Sequence, residues 1–179
     1  AEKKTGVPAA FVLAILTQES ALGANVGKCY LSDLTTGAGY NINSKVQYPN
    51  VMKASRDIEP FISITKSLGM NPLNTIVSCP IPSAGGYGGA MGPAQFIPST
   101  WEEVQGQIAV YNPWNAKDAI LASSYYLSTR GASNSYASQV KAACKYYGSG
   151  GASCSYGTQV MNRVDNIQND INNIKQYSN

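Results

Sequence analysis

The segment that most restricts the possible folds is residues 7–22, VPAAFVLAILTQESAL, because it is apolar on nearly every side. A helix with this pattern has to be surrounded by other elements, since a surface helix keeps one polar face. Pro8 is tolerated in the first turn of such a helix, and Gly23 follows as a stop signal. We therefore predict a central buried helix on which other helices pack.

Apolar residues at spacings of three and four predict the other helices. One covers residues 56–68, with Ser55 as its N-cap and Gly69 beyond its end. The next begins at TWEEV, with Ser99 as its N-cap. The remaining predicted helices cover residues 118–129, 136–147 and 156–177.

The last predicted helix is amphipathic, with its apolar residues at alternating spacings of four and three: Val160, Val164, Ile167, Ile171 and Ile174. Its apolar face is expected to dock on its own domain, and contact with a partner is the alternative. The segments between the helices are rich in glycine and proline, and we find no strand pattern of any length. The predicted fold class is thus mainly α, a helical globule with long Gly/Pro-rich loops and an amphipathic C-terminal helix.

Size and charge narrow the function classes. A chain of 179 residues suits one core, so a single domain over residues 1–179 is predicted. The net charge is +3, and the basic residues are scattered rather than arranged in the stripe that nucleic-acid binding requires. No apolar run approaches the ~18 residues that span a bilayer. We therefore expect neither a nucleic-acid partner nor a membrane span in this chain.

The four cysteines lie far apart, at Cys29, Cys79, Cys144 and Cys154. Without any C-x-x-C spacing, a zinc site is not expected. An even number of cysteines is typical of two disulfides in an exported protein, although four cysteines allow three pairings. Our preferred pairing is Cys29–Cys79 with Cys144–Cys154, and four buried free thiols are the alternative.

The chain contains no histidine, so Ser-His and Cys-His nucleophile pairs and imidazole metal sites are excluded. Glu19 is the most unusual carboxyl, because it lies four residues after Ile15 and seven after Val12, on the apolar stripe of the first helix. Burial there would raise its pKa and keep it protonated near neutral pH, as a general acid requires. A glutamate at the helix end that extends to water is the alternative.

The stretch 85–101, GGYGGAMGPAQFIPSTW, combines glycines with one Gln before a helix. Glycine lets a backbone approach a ligand closely, and the Gln95 amide can donate to and accept from sugar hydroxyls. The alternative is a flexible surface loop. Because Phe96 and Ile97 follow at once, we expect the C-terminal half of the stretch to be held by the core.

Several pieces of the chain resemble the lytic transglycosylases, lysozyme-like enzymes that cleave the glycan strand of peptidoglycan. They are ILTQESALG around Glu19, GAMGPAQFIPSTW at 89–101, NPWNAKDAILASSYYL at 112–127, and KYYGSG followed by YGTQVM near the C-terminus. The pieces follow the family's order over most of the chain and are most similar to the B-type membrane-associated and soluble members. The resemblance implies a lysozyme-like fold of the SLT type.

The resemblance also implies roles for individual residues. Glu19 would be the sole catalytic acid and base, followed by Ser20 in the family's Glu-Ser pair. Gln95 would hold the glycan, and the backbone of residues 90–92 would line the cleft. Tyr146 matches the family's tyrosine in a Tyr-Asn-containing motif, while Tyr147 stands where that motif has Asn. The implied substrate contacts are thus Ser20, Ala90, Met91, Gly92, Gln95, Tyr146 and Tyr147.

The implied reaction cleaves the β-1,4 bond between N-acetylmuramic acid and N-acetylglucosamine and forms a 1,6-anhydro ring. One carboxyl suffices for it, whereas ordinary glycosidases need two. The resemblance implies neither a metal nor another cofactor, an extracytoplasmic location, and the peptidoglycan glycan strand as partner of a monomeric protein. The alternatives are a hydrolytic muramidase of the goose-lysozyme type and a peptidoglycan-binding module without catalysis.

Overall fold

A computed structural model describes residues 1–81 and 86–177. Gly85, the first residue of the predicted glycine-rich stretch, therefore lies outside the described residues. The last two residues of the predicted domain, 178–179, also lie outside them. The described chain is mainly helical with one small sheet, which confirms the predicted fold class. Its elements are α1 (Glu2–Thr5), α2 (Ala9–Ser20), β1 (Cys29–Leu31), β2 (Gly39–Asn41), β3 (Gln47–Tyr48), α3 (Ala54–Ser67), a 3-10 turn (Pro72–Asn74), α4 (Pro98–Gln105), α5 (Ala116–Thr129), α6 (Tyr136–Tyr146) and α7 (Ser155–Tyr177).

The chain divides into two compact units, one formed by Ala1–Leu22 with Ile120–Asn179 and the other by Gly23–Ala119. The first unit is helical, and α2 lies in its core as the apolar sequence predicts. Both α2 and α6 pack on α7. Their shared core is apolar: Val7, Phe11, Val12, Ala14, Ile15, Leu16, Leu127, Val140, Ala142, Ala143, Cys144, Tyr156, Val160 and Met161.

Helix α7 is buried only at its beginning. Tyr156, Gly157, Val160 and Met161 are buried, and this face docks on the first unit as the heptad-like spacing predicts. Toward the other end the side chains become exposed, with Ile174 65% and Tyr177 88% exposed. The apolar spacing therefore continues beyond the part of the helix that the unit covers.

The second unit combines a small antiparallel sheet with helices α3 and α4. The strand order is β1-β2-β3, with Cys29 opposite Asn41 and Gly39 opposite Tyr48. Helix α3 packs on α4, and large apolar side chains are fully buried in this unit, among them Leu31, Val51, Met52, Phe61 and Trp101. The prediction that no strands form was wrong, because strands of two or three residues are too short to show a period of two.

Two predicted N-caps were also wrong. Helix α3 begins at Ala54, so Ser55 lies inside it. Helix α4 begins at Pro98, whose fixed φ suits a first helical position. The Ser99 hydroxyl instead donates to the Asp57 carboxylate over 2.8 Å. This contact joins α4 to the first turn of α3, where Asp57 is fully buried and also paired with Arg56.

Each unit contains one disulfide. Cys29 is joined to Cys79 in the second unit, and Cys144 to Cys154 in the first, which is the preferred pairing of the three that the sequence allows. The first bond ties β1 to the loop before the glycine-rich stretch. The second ties the end of α6 to the residue before α7, across a separation of only ten residues.

Candidate active site

The carboxyl of Glu19 lies near the end of α2 and is bonded to a tyrosine of another helix. The Tyr156 hydroxyl, on the first turn of α7, donates to Oε1 of Glu19. Tyr156 itself is only 7% exposed, so its hydroxyl needs a partner within the protein. Glu19 therefore does not extend into water from the helix end, which was the alternative left open by its sequence position.

The position of Glu19 changes its acidity in the predicted direction. Burial raises the pKa of this carboxyl from 4.5 to about 7, and the hydrogen bond from Tyr156 opposes part of that rise. Burial acts by disfavouring the charged form, whereas a donated hydrogen bond favours it. A carboxyl with this pKa is protonated in a large fraction of molecules at neutral pH, as a general acid must be.

A second tyrosine, Tyr146 at the end of α6, lies close enough to sense the acid. Burial and then the negative charge of Glu19 raise the pKa of its hydroxyl well above 10. That hydroxyl shares a hydrogen bond of 3.2 Å with Ser123 of α5. The Tyr146 ring also packs nearly perpendicular to the ring of Tyr126, with centroids 5.5 Å apart. Tyr146 is thus held as a neutral hydroxyl beside the carboxyl.

The next residue, Tyr147, occupies the position where the resemblance led us to expect Asn. Its ring stacks on the ring of Tyr156, with centroids 4.8 Å apart and planes 14° from parallel. The Tyr147 side chain is 54% exposed. The structure therefore brings together Glu19, Tyr146, Tyr147 and Tyr156, which we call the acid cluster.

Ser20 is also in the first unit, but its side chain points inward. It is 2% exposed, and its hydroxyl donates to the Leu16 carbonyl over 3.3 Å. The helix ends directly after it, because Ala21 and Leu22 adopt left-handed φ values of 50° and 56°. Such backbone is costly for residues other than glycine, and it is often found beside functional sites.

The predicted contacts Ala90, Met91, Gly92 and Gln95 are grouped in the second unit. Gln95 itself has a left-handed φ of 52°. Its amide nitrogen donates to the Gly92 carbonyl over 2.8 Å and to the Val26 carbonyl over 3.3 Å. The nitrogen side of this amide is thus used within the protein to hold the loop.

The backbone of this loop is also bonded internally. The Met91 N–H donates to the Phe96 carbonyl, and the Ala90 N–H donates to the Ser78 hydroxyl, each over 2.9 Å. At Gly92, φ is 61° and a Cβ would collide with the Pro113 carbonyl. Glycine is required there because the two backbones touch. From residue 86 onward, the described part of the stretch is thus ordered, which contradicts the alternative of a flexible loop.

Tyr156 received no role from the sequence, although it begins one of the pieces that carried the resemblance. A signal was available, since Tyr156 lies four residues before Val160 and five before Met161, on the buried face of α7. A buried tyrosine hydroxyl usually finds a polar partner. The identity of that partner depends on how α2 and α7 pack, which the pattern does not specify.

Among residues 1–81 and 86–177, no group of three or more His, Cys, Asp or Glu side chains is placed to bind a metal ion. Over the same residues, no helix is both long enough and apolar enough to cross a membrane. The chemistry that the acid cluster itself offers is proton transfer by one carboxyl that accepts a hydrogen bond from the Tyr156 hydroxyl.

Comparison with known proteins adds a family and a fold. The family profile described as Transglycosylase SLT domain matches residues 1–170. The structure of the Escherichia coli lytic transglycosylase SLT35 in complex with bulgecin A is 17% identical, with a TM-score of 0.63, and the match covers 93% of this chain and 68% of that one. SLT35 from Escherichia coli in complex with calcium is 25% identical, with a TM-score of 0.50, and the match covers 73% of this chain and 38% of that one. Curated proteins yield no significant match.

Proposed function

This chain belongs to the transglycosylase SLT domain family, and we propose that it is a lytic transglycosylase that cleaves the glycan strand of peptidoglycan. The proposed bond is the β-1,4 linkage between N-acetylmuramic acid and N-acetylglucosamine, and the product carries a 1,6-anhydro ring. The fold it shares with SLT35, the lysozyme-like helical architecture expected from the resemblance, is consistent with this reaction.

The observation that carries the proposal is the half-buried Glu19, whose carboxyl accepts a hydrogen bond from Tyr156 and has its pKa raised to about 7 by burial. In the first step, protonated Glu19 gives its proton to the glycosidic oxygen as the bond from that oxygen to C1 of the muramic sugar breaks. The neighbouring acetamido group stabilises the cationic centre at C1. The Tyr156 hydroxyl stabilises the carboxylate that remains, because it donates to the charged form.

In the second step, the Glu19 carboxylate takes the proton from the O6 hydroxyl of the muramic sugar. The O6 oxygen then bonds to C1, which closes the anhydro ring and returns Glu19 to its protonated form. Because the hydroxyl belongs to the same sugar, the step is intramolecular, and such proximity contributes up to several kcal/mol to lowering a barrier.

The surroundings of Glu19 support a mechanism with one carboxyl. The other acidic residues of the first unit are Glu2, Asp165 and Asp170, and all three side chains are exposed. A glycosidase with two carboxyls places them about 5 to 10 Å apart across the scissile bond. Burial and Tyr156 are the causes that set the pKa of Glu19, with no carboxylate among them.

The remaining assignments belong to the same proposal. Substrate contacts would come from Ser20, Gln95, Tyr146, Tyr147 and the backbone of residues 90–92. Of these, Ala90, Gln95, Tyr146 and Tyr147 are at least partly exposed, whereas Ser20, Met91 and Gly92 are buried. Residues 1–179 would act as one catalytic domain, as a monomer in the cell envelope, where the polymer occurs.

Digestion of purified sacculi tests the proposal directly. We expect soluble fragments whose mass is one water lower than that of fragments with a reducing end. Glu19→Gln should keep the fold and reduce fragment release by about 100-fold or more, because it removes the transferable proton. Glu2→Gln is the matched control, since it removes an exposed carboxyl of the same unit.

Three results would contradict the proposal. Wild-type release by Glu19→Gln would remove the acid from the mechanism. Fragments with reducing ends would instead identify a hydrolytic muramidase, and binding to sacculi without release would identify a binding module.

A further inference from the structure

We propose that Tyr147 is a positioning residue for the acid, because its ring stacks on Tyr156 and holds the Tyr156 hydroxyl against Glu19. The contacts form a chain across three helices. Tyr147 follows α6, Tyr156 lies on α7 and Glu19 lies on α2. The ring contact joins Tyr147 to Tyr156, and a hydrogen bond joins Tyr156 to Glu19.

The backbone of Tyr147 is fixed independently of its ring. Its N–H donates to the Ala143 carbonyl over 3.1 Å, which continues the pattern of α6 by one residue. The disulfide between Cys144 and Cys154 joins the segments that precede the two stacked tyrosines. Because the side chain is 54% exposed and lies outside the apolar core, its removal should leave the unit folded.

The stack restricts the motion of Tyr156 that matters for the acid. The hydroxyl of a tyrosine lies on the axis of its ring, so rotation about χ2 leaves it in place, whereas rotation about χ1 moves it away. A parallel ring on one face opposes that movement. Stacked aromatic pairs favour their contact by about 2- to 10-fold in population, so losing Tyr147 should release the hydroxyl for part of the time.

The titratable groups that face Glu19 from the packed helices are Tyr146 on α6 and Tyr156 on α7. The Tyr156 hydrogen bond lowers the pKa of Glu19 against the effect of burial. Weakening that bond should therefore move the Glu19 titration to higher pH. A role of Tyr147 in holding sugar alone would leave this titration unchanged.

The test is a carbon-detected NMR titration of the Glu19 carboxyl in the intact, substrate-free protein. We expect Tyr156→Phe to shift the titration upward, and Tyr147→Ala to shift it in the same direction by a smaller amount. Tyr147→Phe should restore the wild-type titration, because the ring remains. Tyr136→Ala is the matched control, since Tyr136 lies at the start of α6, is 61% exposed and is outside the acid cluster.

The decisive variant combines the two changes. In the Tyr156→Phe background, Tyr147→Ala should shift the titration no further, because Tyr147 acts through the Tyr156 hydroxyl. An unchanged titration in the Tyr147→Ala single variant would overturn the inference. So would an equal shift by Tyr147→Ala with and without that hydroxyl.

Kinetics extend the test and rest on the proposed function. Tyr147→Ala should lower kcat about 3- to 10-fold, in addition to any rise in KM from the lost sugar contact, and Tyr147→Phe should recover most of the loss in kcat. A rise in KM alone would assign Tyr147 to sugar binding and overturn the positioning role. Because the titration needs no substrate, its result stands even if Glu19→Gln shows that the proposed reaction is wrong.

Discussion

The two units of this protein position their candidate functional residues by different physical means. In the first unit, contacts between side chains position them: a carboxyl and three tyrosines meet at the ends of packed helices. In the second unit, the backbone conformation positions them, because the loop at Gly92 and Gln95 is fixed by residues with left-handed φ and by internal hydrogen bonds. The first arrangement is tuned by burial, and the second by steric fit.

The difference predicts different sensitivities. Changes to the acid cluster should alter the acidity of Glu19, the rate and the pH dependence of stability. Changes in the second unit at positions where an added side chain would collide with backbone should mainly lower the free energy of unfolding. Backbone atoms, unlike the end of a flexible side chain, cannot move aside. Each of the following predictions tests or sharpens this contrast.

The largest stability effect is expected at Gly92. Gly92→Ala places a Cβ against the Pro113 carbonyl at a φ of 61°. The combined strain and collision should lower the free energy of unfolding by about 3 to 5 kcal/mol. Gly69→Ala is the matched control, because its φ is 66° and nothing lies within 4 Å of the added atom.

Gly69→Ala should cost about 1 kcal/mol, the conformational penalty alone. Urea denaturation of both variants measures the difference. Equal losses would mean that conformation, rather than the contact with Pro113, decides the stability of the loop.

The two disulfides should separate stability from activity. Replacing both cysteines of the 29–79 bond, which are 50 residues apart, should lower the free energy of unfolding by roughly 4 kcal/mol. Replacing those of the 144–154 bond, which are 10 residues apart, should lower it by roughly 3 kcal/mol. Loss of the shorter bond should nevertheless reduce activity more, because it joins the segments carrying Tyr147 and Tyr156.

Paired Cys→Ser variants assayed on sacculi at equal folded fraction provide the measurement. If both variants lose activity only in proportion to their unfolding, the shorter disulfide has no role in holding the acid cluster.

Two carboxyls, one in each unit, should give opposite pH dependence of stability. The pKa of Glu19 is raised from 4.5 to about 7, so its stabilising contribution is complete below pH 4.5 and is lost as the pH rises through 7. The free energy of unfolding of Glu19→Gln should therefore rise by about 3 kcal/mol, relative to that of the wild type, between pH 4.5 and pH 8.

Asp33 provides the contrast in the second unit. Hydrogen bonds from Thr36 and Thr35 lower the pKa of its carboxyl below 3.8, so its contribution is present above that pH and is lost on further acidification. Asp33→Asn should thus be least different from wild type in acid. Thermal denaturation across pH checks both signs, and a pH-independent difference for Glu19→Gln would contradict the raised pKa.

The smallest effect is expected at the exposed end of α7. Ending the chain at Asp170 removes the turns in which Ile174 and Tyr177 are exposed, and it should change the free energy of unfolding by less than about 1 kcal/mol. Sedimentation of both forms should show the same monomeric mass. A change in mass would identify the apolar spacing of these turns as a contact with a partner.

Much of the first unit was predictable because helical periodicity is a local property. The buried α2, the docked face of α7 and the raised pKa of Glu19 all follow from residues three or four apart on one chain segment. The short strands and the caps were not predictable. A strand of three residues is too short to show a period of two. The Ser99 hydroxyl donates to Asp57, rather than capping its own helix, only because α3 and α4 pack together.

By itself, therefore, the sequence determined that a carboxyl would lie on the apolar face of a central helix and that any chemistry would proceed without histidine. Only the tertiary structure decided which hydroxyl meets that carboxyl, that Tyr147 stacks on Tyr156, and that Gln95 uses its amide nitrogen on its own loop. The physical reason is that periodicity specifies which face of an element is buried. The partner across that face depends on how distant segments pack.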